Sequence, residues 1–411
     1  MNNKKIAFLI NSLDGGGAER VMTTLVNEFV KEYDCYLILI EKKIEYKIDD
    51  RINLIILDDE KAKSSFSKLF MIPVLSYKLS KIIKEYQFEQ ILSFLHRSNY
   101  INILSSILSK HKVIISERAT PSAMYNDKTI LSLVNKFLTT HLYNNADIII
   151  PASKVIKNDL INNFNLKKEQ KVIYNPCNVE SIQEQANEPI NIVLDRERTI
   201  ITVGSLEKIK NQEILIKSFS KLEKDYNLII IGKGKLESLL KNLVTELQLE
   251  NRVTFIGFDV NPYKYMSKSS IFVLTSNSEG FPNVLVEAMI CGCNVISTDC
   301  SSGPREILAP NSEITKFLDN ELEYAEYGIL IPINDEEKLY QALKIMTTDI
   351  ELQTKYKKIA IKRIQELQID VIIPQYKEQL ENSMKENKLK NIIAFSKYSY
   401  DGPSSRYRFY N

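Results

Sequence analysis

The sequence lacks the features that mark secreted and membrane-spanning proteins. No stretch of its 411 residues approaches the roughly 18 to 20 consecutive apolar residues that a membrane-spanning helix requires. The short apolar run after Lys4 and Lys5 soon meets Asp14, which is unlike a secretory signal peptide. These absences predict a cytoplasmic protein.

Cysteine and histidine are also scarce. The chain has five cysteines without CxxC spacing and three histidines. Cys291, Cys293 and Cys300 lie close together, but no histidine is near them in the sequence. A disulfide framework and a metal site are therefore both disfavoured, and buried core positions are the simpler interpretation of the cysteines.

The complete chain has little net charge, but one segment has a large excess of positive charge. The net charge of +2 argues against nucleic acid as a partner. Residues 61–84, however, contain six lysines and no acid. A helix predicted at 74–86 would place lysines on one side and apolar residues on the other. Residues 61–86 are thus either a solvated domain face or a contact with anionic lipid or a polyprenyl diphosphate.

Short β-branched runs alternate with helical patterns, as in parallel sheets covered by helices on both faces. The predicted strands form two sets, near residues 5–11, 35–41, 53–57, 90–94, 112–116, 147–151 and 171–174, and near residues 199–204, 227–232, 253–256, 271–275, 294–298 and 329–332. We predict an α/β chain with two Rossmann-like, doubly wound domains at 1–178 and 199–373, a linker at 179–198 and a closing helix at 374–390. Ligands would bind in the cleft where the carboxyl ends of the two sheets face each other.

A glycine-rich turn joins the first predicted strand to a helix. Gly15, Gly16 and Gly17 let backbone N–H groups approach an anion at the helix start, where the helix dipole adds positive charge. A dinucleotide-binding turn is one alternative, because Glu41 ends the second strand where a ribose-binding acid would lie. Arg20 occupies the third glycine position of that motif, which disfavours it. A plain structural turn and an anion-binding loop of another kind remain open.

The densest chemical signal follows the strand predicted at 271–275. Pro282 suits the first turn of a helix, so the loop that carries Glu279 would meet free backbone N–H groups. Glu287 follows about one and a half turns later. N–H donors beside carboxylate acceptors suit a sugar diphosphate. The alternative is that Glu279 only caps the helix and that Glu287 is solvated.

This region resembles the family 4 glycosyltransferases, which have the two-domain GT-B fold and retain the configuration of the transferred sugar. The spacing from Glu279 to Glu287 is similar to the E-x7-E motif of that family, within the letters EGFPNVLVEAM. Residues 299–308 resemble the D-C-x-x-G-P-x-E-I-L segment of bacterial transferases that build lipid-linked oligosaccharides and surface polysaccharides. Shorter similar pieces extend the resemblance over nearly all of residues 5–375, at positions 15–20, 116–118, 174–176, 203–206 and 210–211.

Carried over position by position, the resemblance implies that Glu279 contacts the donor sugar and that Glu287 contacts the nucleotide ribose. Lys210 and the amides around Val284 and Leu285 would hold the diphosphate. Glu279 and Lys210 are the implied catalytic residues. The other implied donor-binding residues are Gly15, Gly16, Gly17, Gly257 near the base, Gly280 and Phe281. The sequence has no Asp-x-Asp pair, so we expect neither a metal nor another cofactor.

The resemblance is incomplete at two places. Ser205 stands where many relatives have an arginine, and Lys208 or Arg20 could supply the missing cation. Many relatives also carry a first-domain histidine near the reacting carbon, at about the place of Glu117 and Arg118. We therefore take Arg20, Glu117 and Arg118 as candidates for a first-domain site.

The expected activity is transfer of a hexose or N-acetylhexosamine from a nucleotide diphosphate, with UDP favoured, to a lipid-linked or surface-glycan acceptor. The expected place is the inner face of the membrane, peripherally bound. An NAD-dependent oxidoreductase and a catalytically silent glycan-binding module are the alternatives. His96 is a further candidate for the first-domain group, with a structural role as its alternative. Residues 391–411 resemble the start of another GT-B domain, as in a longer tandem protein, or else form a disordered tail.

Overall fold

The computed structural model describes residues 4–57 and 64–381. The tail predicted at 391–411 and part of the predicted closing helix lie outside this range. Two sheets dominate the described residues, one of six strands and one of seven.

The first sheet has the strand order β3-β2-β1-β4-β5-β6, with every neighbouring pair parallel. Its strands are rich in isoleucine and leucine and are mostly buried, because helices cover both faces. They are β1 Lys5–Ile10, β2 Asp34–Leu39, β3 Asn53–Ile56, β4 Gln90–Phe94, β5 Lys112–Glu117 and β6 Ile148–Pro151. The covering helices are α1 Gly17–Phe29, α2 Ser65–Phe70, α3 Ile72–Tyr86, α4 His96–Ser109, α5 Pro121–Met124, α6 Ile130–Leu142 and α7 Lys154–Phe164.

The second sheet has the order β12-β13-β11-β10-β7-β8-β9, parallel except for the β12–β13 pair. Its strands are β7 Thr199–Val203, β8 Asn227–Ile231, β9 Val253–Gly257, β10 Ile271–Leu274, β11 Asn294–Thr298, β12 Glu323–Tyr324 and β13 Ile329–Ile331. The helices of this half are α8 Val179–Ala186, α9 Gln212–Ser220, α10 Glu237–Glu246, α11 Tyr263–Met266, α12 Asn283–Ile290, α13 Pro304–Leu308, α14 Glu336–Thr348 and α15 Ile350–Glu366. The two doubly wound sheets are those that the sequence predicts.

Three local predictions need correction. Residues 171–174 are not a regular strand: an isolated bridge pairs the preceding Gln170 with β6, and the Lys171 and Ile173 amides donate to the Ile149 and Pro151 carbonyls of β6. The predicted linker at 179–198 contains α8, which packs against α11 and α12. The last described helix begins at residue 369 rather than 374.

The chain crosses between the domains twice, and the two crossings are hydrogen-bonded to each other. The Cys177 amide donates to the Leu367 carbonyl (2.8 Å), and the Ile369 amide donates to the Cys177 carbonyl (3.0 Å). Helical residues 369–381 then return to the first domain, where Tyr376 and Leu380 are buried in its core. The first domain is therefore completed by the end of the described chain.

Candidate active site

The loop between β10 and α12 brings Glu279 to a lysine from a neighbouring loop. Lys210 lies on a short 3₁₀ turn after β7, and its Nζ is 2.5 Å from Glu279 Oε1. The Ser276 hydroxyl donates to the same oxygen (2.6 Å). The Lys210 stem runs past Gly204, where a methyl group would lie 3.8 Å away. The two predicted catalytic residues are thus in direct contact.

Two helix N-termini meet beside this pair. Asn283 begins α12, and its side-chain amide donates to the Gly17 carbonyl at the start of α1 (3.3 Å). Gly15 adopts φ +79°, and a methyl group there would lie 2.9 Å from the Phe258 ring, so the turn needs glycine at this position. Neither helix has a side-chain N-cap. Their first N–H groups and positive dipole ends favour an anion between the two helices, where the Glu19 carboxylate already lies against the backbone at Gly16.

Pro282 is the N-cap of α12 rather than its first helical residue. The flanking residues fix the loop against the first domain. A methyl group on Gly280 would lie 1.8 Å from the Arg118 carbonyl oxygen, so only glycine allows this approach. Phe281 stacks on Tyr174 with ring centroids 5.0 Å apart. Val284 is half-buried and Leu285 is fully buried, so these two positions offer backbone rather than side chains to a ligand.

Glu287 is held by a first-domain arginine across the cleft. Arg20 Nη1 lies 2.8 Å from Glu287 Oε1 and 2.6 Å from the Tyr263 hydroxyl oxygen. The guanidinium also lies over the rings of Tyr46 and Tyr263, at 5.4 and 5.3 Å from their centroids. Glu287 is 3% exposed, and its Oε2 has no hydrogen-bond partner. A buried carboxylate oxygen without a donor is a costly arrangement that a ligand hydroxyl would relieve.

This placement decides between two predicted roles for Arg20. Its partners are Glu287 and Tyr263, so it does not stand in for the arginine that is missing at Ser205. The pair forms part of the wall of a cavity of about 1000 Å³ between α1, α8 and α12. Sequence analysis missed Tyr46 and Tyr263, because an isolated tyrosine gives no signal of a partner so far along the chain.

The cleft is open at Gly257, the residue that we predicted near the base. Gly257 ends β9 with φ +83°, and nothing lies within 4 Å of a methyl group placed on it. The Phe258 ring next to it is 40% exposed and is covered on one face by Lys233 Nζ, 4.4 Å from the centroid. A planar base has space and an aromatic surface at this position.

Glu117 and Arg118 are enclosed in the first domain. The Tyr143 hydroxyl donates to Glu117 Oε2 (2.5 Å), and burial raises the pKa of Glu117 to about 7. The Arg118 guanidinium lies over the Phe94 ring and donates to the Tyr376 hydroxyl (3.0 Å). After β5, the Arg118 carbonyl contacts the Glu279 loop at Gly280, and the Thr120 hydroxyl lies 3.5 Å from the Glu279 carbonyl oxygen. The side chains of these two candidates therefore stabilise the first domain in this arrangement.

His96 faces a second cavity. The cavity has a volume of about 200 Å³ and lies at the carboxyl ends of β1 and β4, between α2, α4 and α6. Burial, helped by the charge of Arg97, lowers the pKa of His96 to about 4, so the ring is neutral near pH 7. Glu41, the acid that a dinucleotide site would need for ribose, is instead paired with Lys68 (2.5 Å) and Arg97 (3.3 Å).

The segment 299–308 fastens the two domains together. Glu306 accepts hydrogen bonds from the amides of Lys154 and Val155 at the start of α7, at 2.8 and 2.9 Å, and from the Tyr174 hydroxyl (3.0 Å). A carboxylate at a helix N-terminus is stabilised by the free N–H groups and the helix dipole. This carboxylate comes from the other domain, which is why the sequence did not reveal the contact.

Within residues 4–57 and 64–381, no cluster of three or more histidine, cysteine, aspartate or glutamate residues could hold a metal ion. The five cysteines are free and buried. The expectation of a reaction without a metal or cofactor stays a prediction. In the same part of the chain, none of the helices is both long and apolar enough to span a bilayer.

The chain has two Rossmann-like domains that face each other across a cleft. The acid–lysine pair lies on one side of the cleft, and helices preceded by glycine-containing loops begin on both sides. This arrangement defines a GT-B glycosyltransferase. Residues 15–181 match "Glycosyltransferase Family 4", and residues 183–363 match "Glycosyl transferases group 1". The chain belongs to this glycosyltransferase family, and it is an enzyme of that class.

Similar proteins include a Campylobacter jejuni N-acetylgalactosamine-N,N'-diacetylbacillosaminyl-diphospho-undecaprenol 4-alpha-N-acetylgalactosaminyltransferase. It is 36% identical over 86% of this chain and 93% of its own length. A second C. jejuni enzyme, a GalNAc-alpha-(1->4)-GalNAc-alpha-(1->3)-diNAcBac-PP-undecaprenol alpha-1,4-N-acetyl-D-galactosaminyltransferase, is 25% identical over 90% of this chain and 96% of its own. Among solved structures, Anabaena HepE in complex with UDP and glucose aligns with a TM-score of 0.71 and 19% identity, over 92% of this chain and 100% of that one. The GT-B fold expected from the sequence is confirmed.

Proposed function

We propose that this enzyme transfers an N-acetylhexosamine from its UDP derivative to a glycan carried on a polyprenyl diphosphate, with retention of configuration. The observation that carries the proposal is the meeting of Lys210, Glu279 and two uncapped helix N-termini at one point of the cleft. The two C. jejuni relatives, whose names specify N-acetylgalactosaminyl transfer to undecaprenol-linked acceptors, support the substrate class. HepE, which was crystallised with UDP, supports the nucleotide.

The diphosphate lies between the starts of α1 and α12 and beside Lys210 in this proposal. Its negative charge grows as the bond from the sugar carbon to the phosphate oxygen breaks. Fixed N–H donors and the lysine ammonium, already in place before the reaction, stabilise that charge without a metal. Glu279 leaves Lys210 in part and accepts hydrogen bonds from the sugar hydroxyls, which orients the reacting carbon.

The nucleoside occupies the end of the cleft at Gly257 and Glu287. The unpartnered Oε2 of Glu287 accepts a ribose hydroxyl, while Oε1 stays with Arg20. The exposed face of Phe258 contacts the base. Every buried polar atom of Glu287 then has a partner.

The acceptor hydroxyl attacks from the face that the leaving diphosphate occupies. A bond forms between the acceptor oxygen and the sugar carbon, the bond to the phosphate oxygen breaks, and the acceptor proton passes to that phosphate oxygen. This route explains retention without a protein base, in keeping with the enclosed positions of Glu117 and Arg118. The lysines within residues 61–86 hold the enzyme peripherally against the inner face of the membrane, where such acceptors are embedded.

Calorimetry with UDP, GDP and NAD tests the nucleotide. We expect UDP to bind and NAD not to bind, whereas binding of NAD alone would overturn the proposal. Incubation with UDP-N-acetylgalactosamine and a short-chain polyprenyl-diphosphate glycan tests the reaction. Proton NMR of the product should show an α linkage, and a β linkage would contradict same-face attack.

A further inference from the structure

Helix α6, Ile130–Leu142, buries polar residues and exposes apolar ones, unlike an ordinary surface helix. Its buried residues are polar, namely Ser132, Asn135 and Thr139. Its outer face carries Ile130, Leu133 and Phe137, which are 70%, 61% and 60% exposed. A surface helix of a globular domain normally has the opposite arrangement.

The polar inner face is bonded within the domain. The Tyr100 hydroxyl lies 2.7 Å from the Thr139 hydroxyl and 3.1 Å from the Asn135 carbonyl oxygen. The Thr129 hydroxyl caps the helix by accepting from the Ser132 amide (3.2 Å). The helix is therefore fixed in this orientation: Leu138 and Leu142 pack against the core, and the stripe formed by Ile130, Leu133 and Phe137 faces solvent.

Single exposed apolar residues are common, but these three are spaced at i, i+3 and i+7 and share one face. Removing side chains of this kind from water is favourable. A contiguous stripe of this kind marks an interaction surface. The stripe lies outside the segment 61–86. From its sequence periodicity alone, this helix would be interpreted as an ordinary amphipathic helix.

A second apolar ridge lies on the other side of the cavity that contains His96. The cavity is lined by Lys68 and Leu69 from α2 and by Leu131 and Asn135 from α6. On α2, Phe66 and Phe70 are 50% and 68% exposed, with ring centroids 5.1 Å apart. The mouth of the cavity is therefore flanked by exposed apolar side chains from both helices.

The charge around the two ridges selects the occupant. Ile130–Leu142 contains Lys136 and no acid, and Asp127 and Lys128 precede it; α3 carries lysines at 78, 81 and 84 with one acid, Glu85, while Lys68 of α2 is paired with Glu41. Apolar residues rimmed by lysine match the interface of an anionic bilayer. A second copy of the chain would bring the same lysines together and be repelled.

We propose that the outer face of α6 inserts into the interface of an anionic membrane, together with Phe66 and Phe70, so that the mouth of the cavity opens onto the lipid surface. Membrane contact then depends on two elements, the lysines of α2 and α3 and the apolar stripe of α6. This docking does not depend on the donor or on the reaction proposed above.

The test replaces Ile130, Leu133 and Phe137 together by serine. Binding is measured by sedimentation with vesicles of phosphatidylcholine and phosphatidylglycerol in equal parts. We expect the membrane partition coefficient to fall at least tenfold at low and at high salt, because the contribution is apolar. The matched control replaces Ile350 and Ile361, which are similarly exposed on α15, by serine and should bind as the wild type does.

A second variant separates charge from insertion. Replacing Lys78, Lys81 and Lys84 together by glutamate should also reduce vesicle binding, and this loss should disappear at high salt because the attraction is screened. Wild-type binding to vesicles by the α6 variant would overturn the proposal. So would a change in its oligomeric state by light scattering with unchanged vesicle binding, which would assign the stripe to a second copy. UDP affinity and thermal stability, measured on the same α6 variant, should equal those of the wild type and report separately on donor binding and folding.

Discussion

Replacing Arg20 by glutamine should weaken UDP binding and erase the preference for the ribose 2′-hydroxyl. Arg20 is the side chain that neutralises Glu287, which is 3% exposed. Glutamine keeps a hydrogen-bond donor on the same helix but removes the charge. Glu287, which is already buried, would then lose both its compensating charge and the contact that holds it in position to accept a ribose hydroxyl.

The magnitude follows from the contacts. A hydrogen bond to a charged group contributes about 1.5 to 3 kcal/mol, and breaking a fully buried ion pair costs about 3 to 5 kcal/mol. The Arg20 side chain is 24% exposed, so water screens part of this interaction and the lower range applies. Since about 1.4 kcal/mol is a tenfold change in affinity, the Kd for UDP should rise by roughly 10- to 100-fold.

Calorimetry with UDP and 2′-deoxy-UDP measures both effects. The wild type should bind 2′-deoxy-UDP more weakly than UDP, because one of the two ribose hydroxyls that can donate to Glu287 Oε2 is missing. In the Arg20→Gln variant the two Kd values should converge, since Glu287 is no longer held in place. Arg198→Gln is the matched control, because it removes another arginine–carboxylate pair, with Asp225, at residues that do not line this cavity. A Kd for UDP within twofold of the wild type would refute the reasoning.

Three further predictions concern the site and its support. Glu279→Ala should lower kcat by about 100-fold or more while UDP affinity and melting temperature change little, since the acid orients the sugar rather than the nucleotide; near-normal initial rates would exclude this role. Lys210→Ala should weaken UDP about 10- to 100-fold in calorimetry but leave uridine binding unchanged, because its partner is the diphosphate; equal losses would place Lys210 elsewhere. Burial raises the pKa of Glu117 from an ordinary value of 4.5 to about 7, so this carboxyl stays protonated to a higher pH in the native state than in the unfolded state. The free energy of unfolding of the wild type should therefore fall by up to about 3 kcal/mol as the pH rises from 4.5 to 7. Glu117→Gln should remove that loss in urea unfolding at a series of pH values, and identical pH profiles would show that Glu117 is ionised in the fold.

The sequence alone determined the architecture and the residues that we predict for the polar half of the donor site. Strands predicted at 90–94 and 294–298 have those bounds in the structure, because buried parallel strands need continuous β-branched and aliphatic runs that are visible locally. Glu279 and the glycines of the first turn were found for a similar reason. Their function requires a fixed place at a strand end or helix start, and that place is encoded within about a dozen residues of chain.

Only the tertiary structure decided which of these residues meet. Arg20 and Glu287 are far apart in sequence, and Glu306 serves a helix of the other domain, so no local pattern could reveal either contact. The segment predicted as a strand at 171–174 runs beside β6, with the Lys171 and Ile173 amides donating to it, but it then enters the crossing between the domains before a full ladder forms.

Helix α6 shows the same division most clearly. Its period fixed that one face is apolar and the other polar, but periodicity carries no information on which face the rest of the domain covers. The contacts of Tyr100 favour the observed orientation. Its hydroxyl is hydrogen-bonded to the Thr139 hydroxyl and the Asn135 carbonyl on the polar face, which therefore packs inward. The direction of a helix's faces depends on hydrogen-bond partners distant in sequence, and those exist only once the chain has folded.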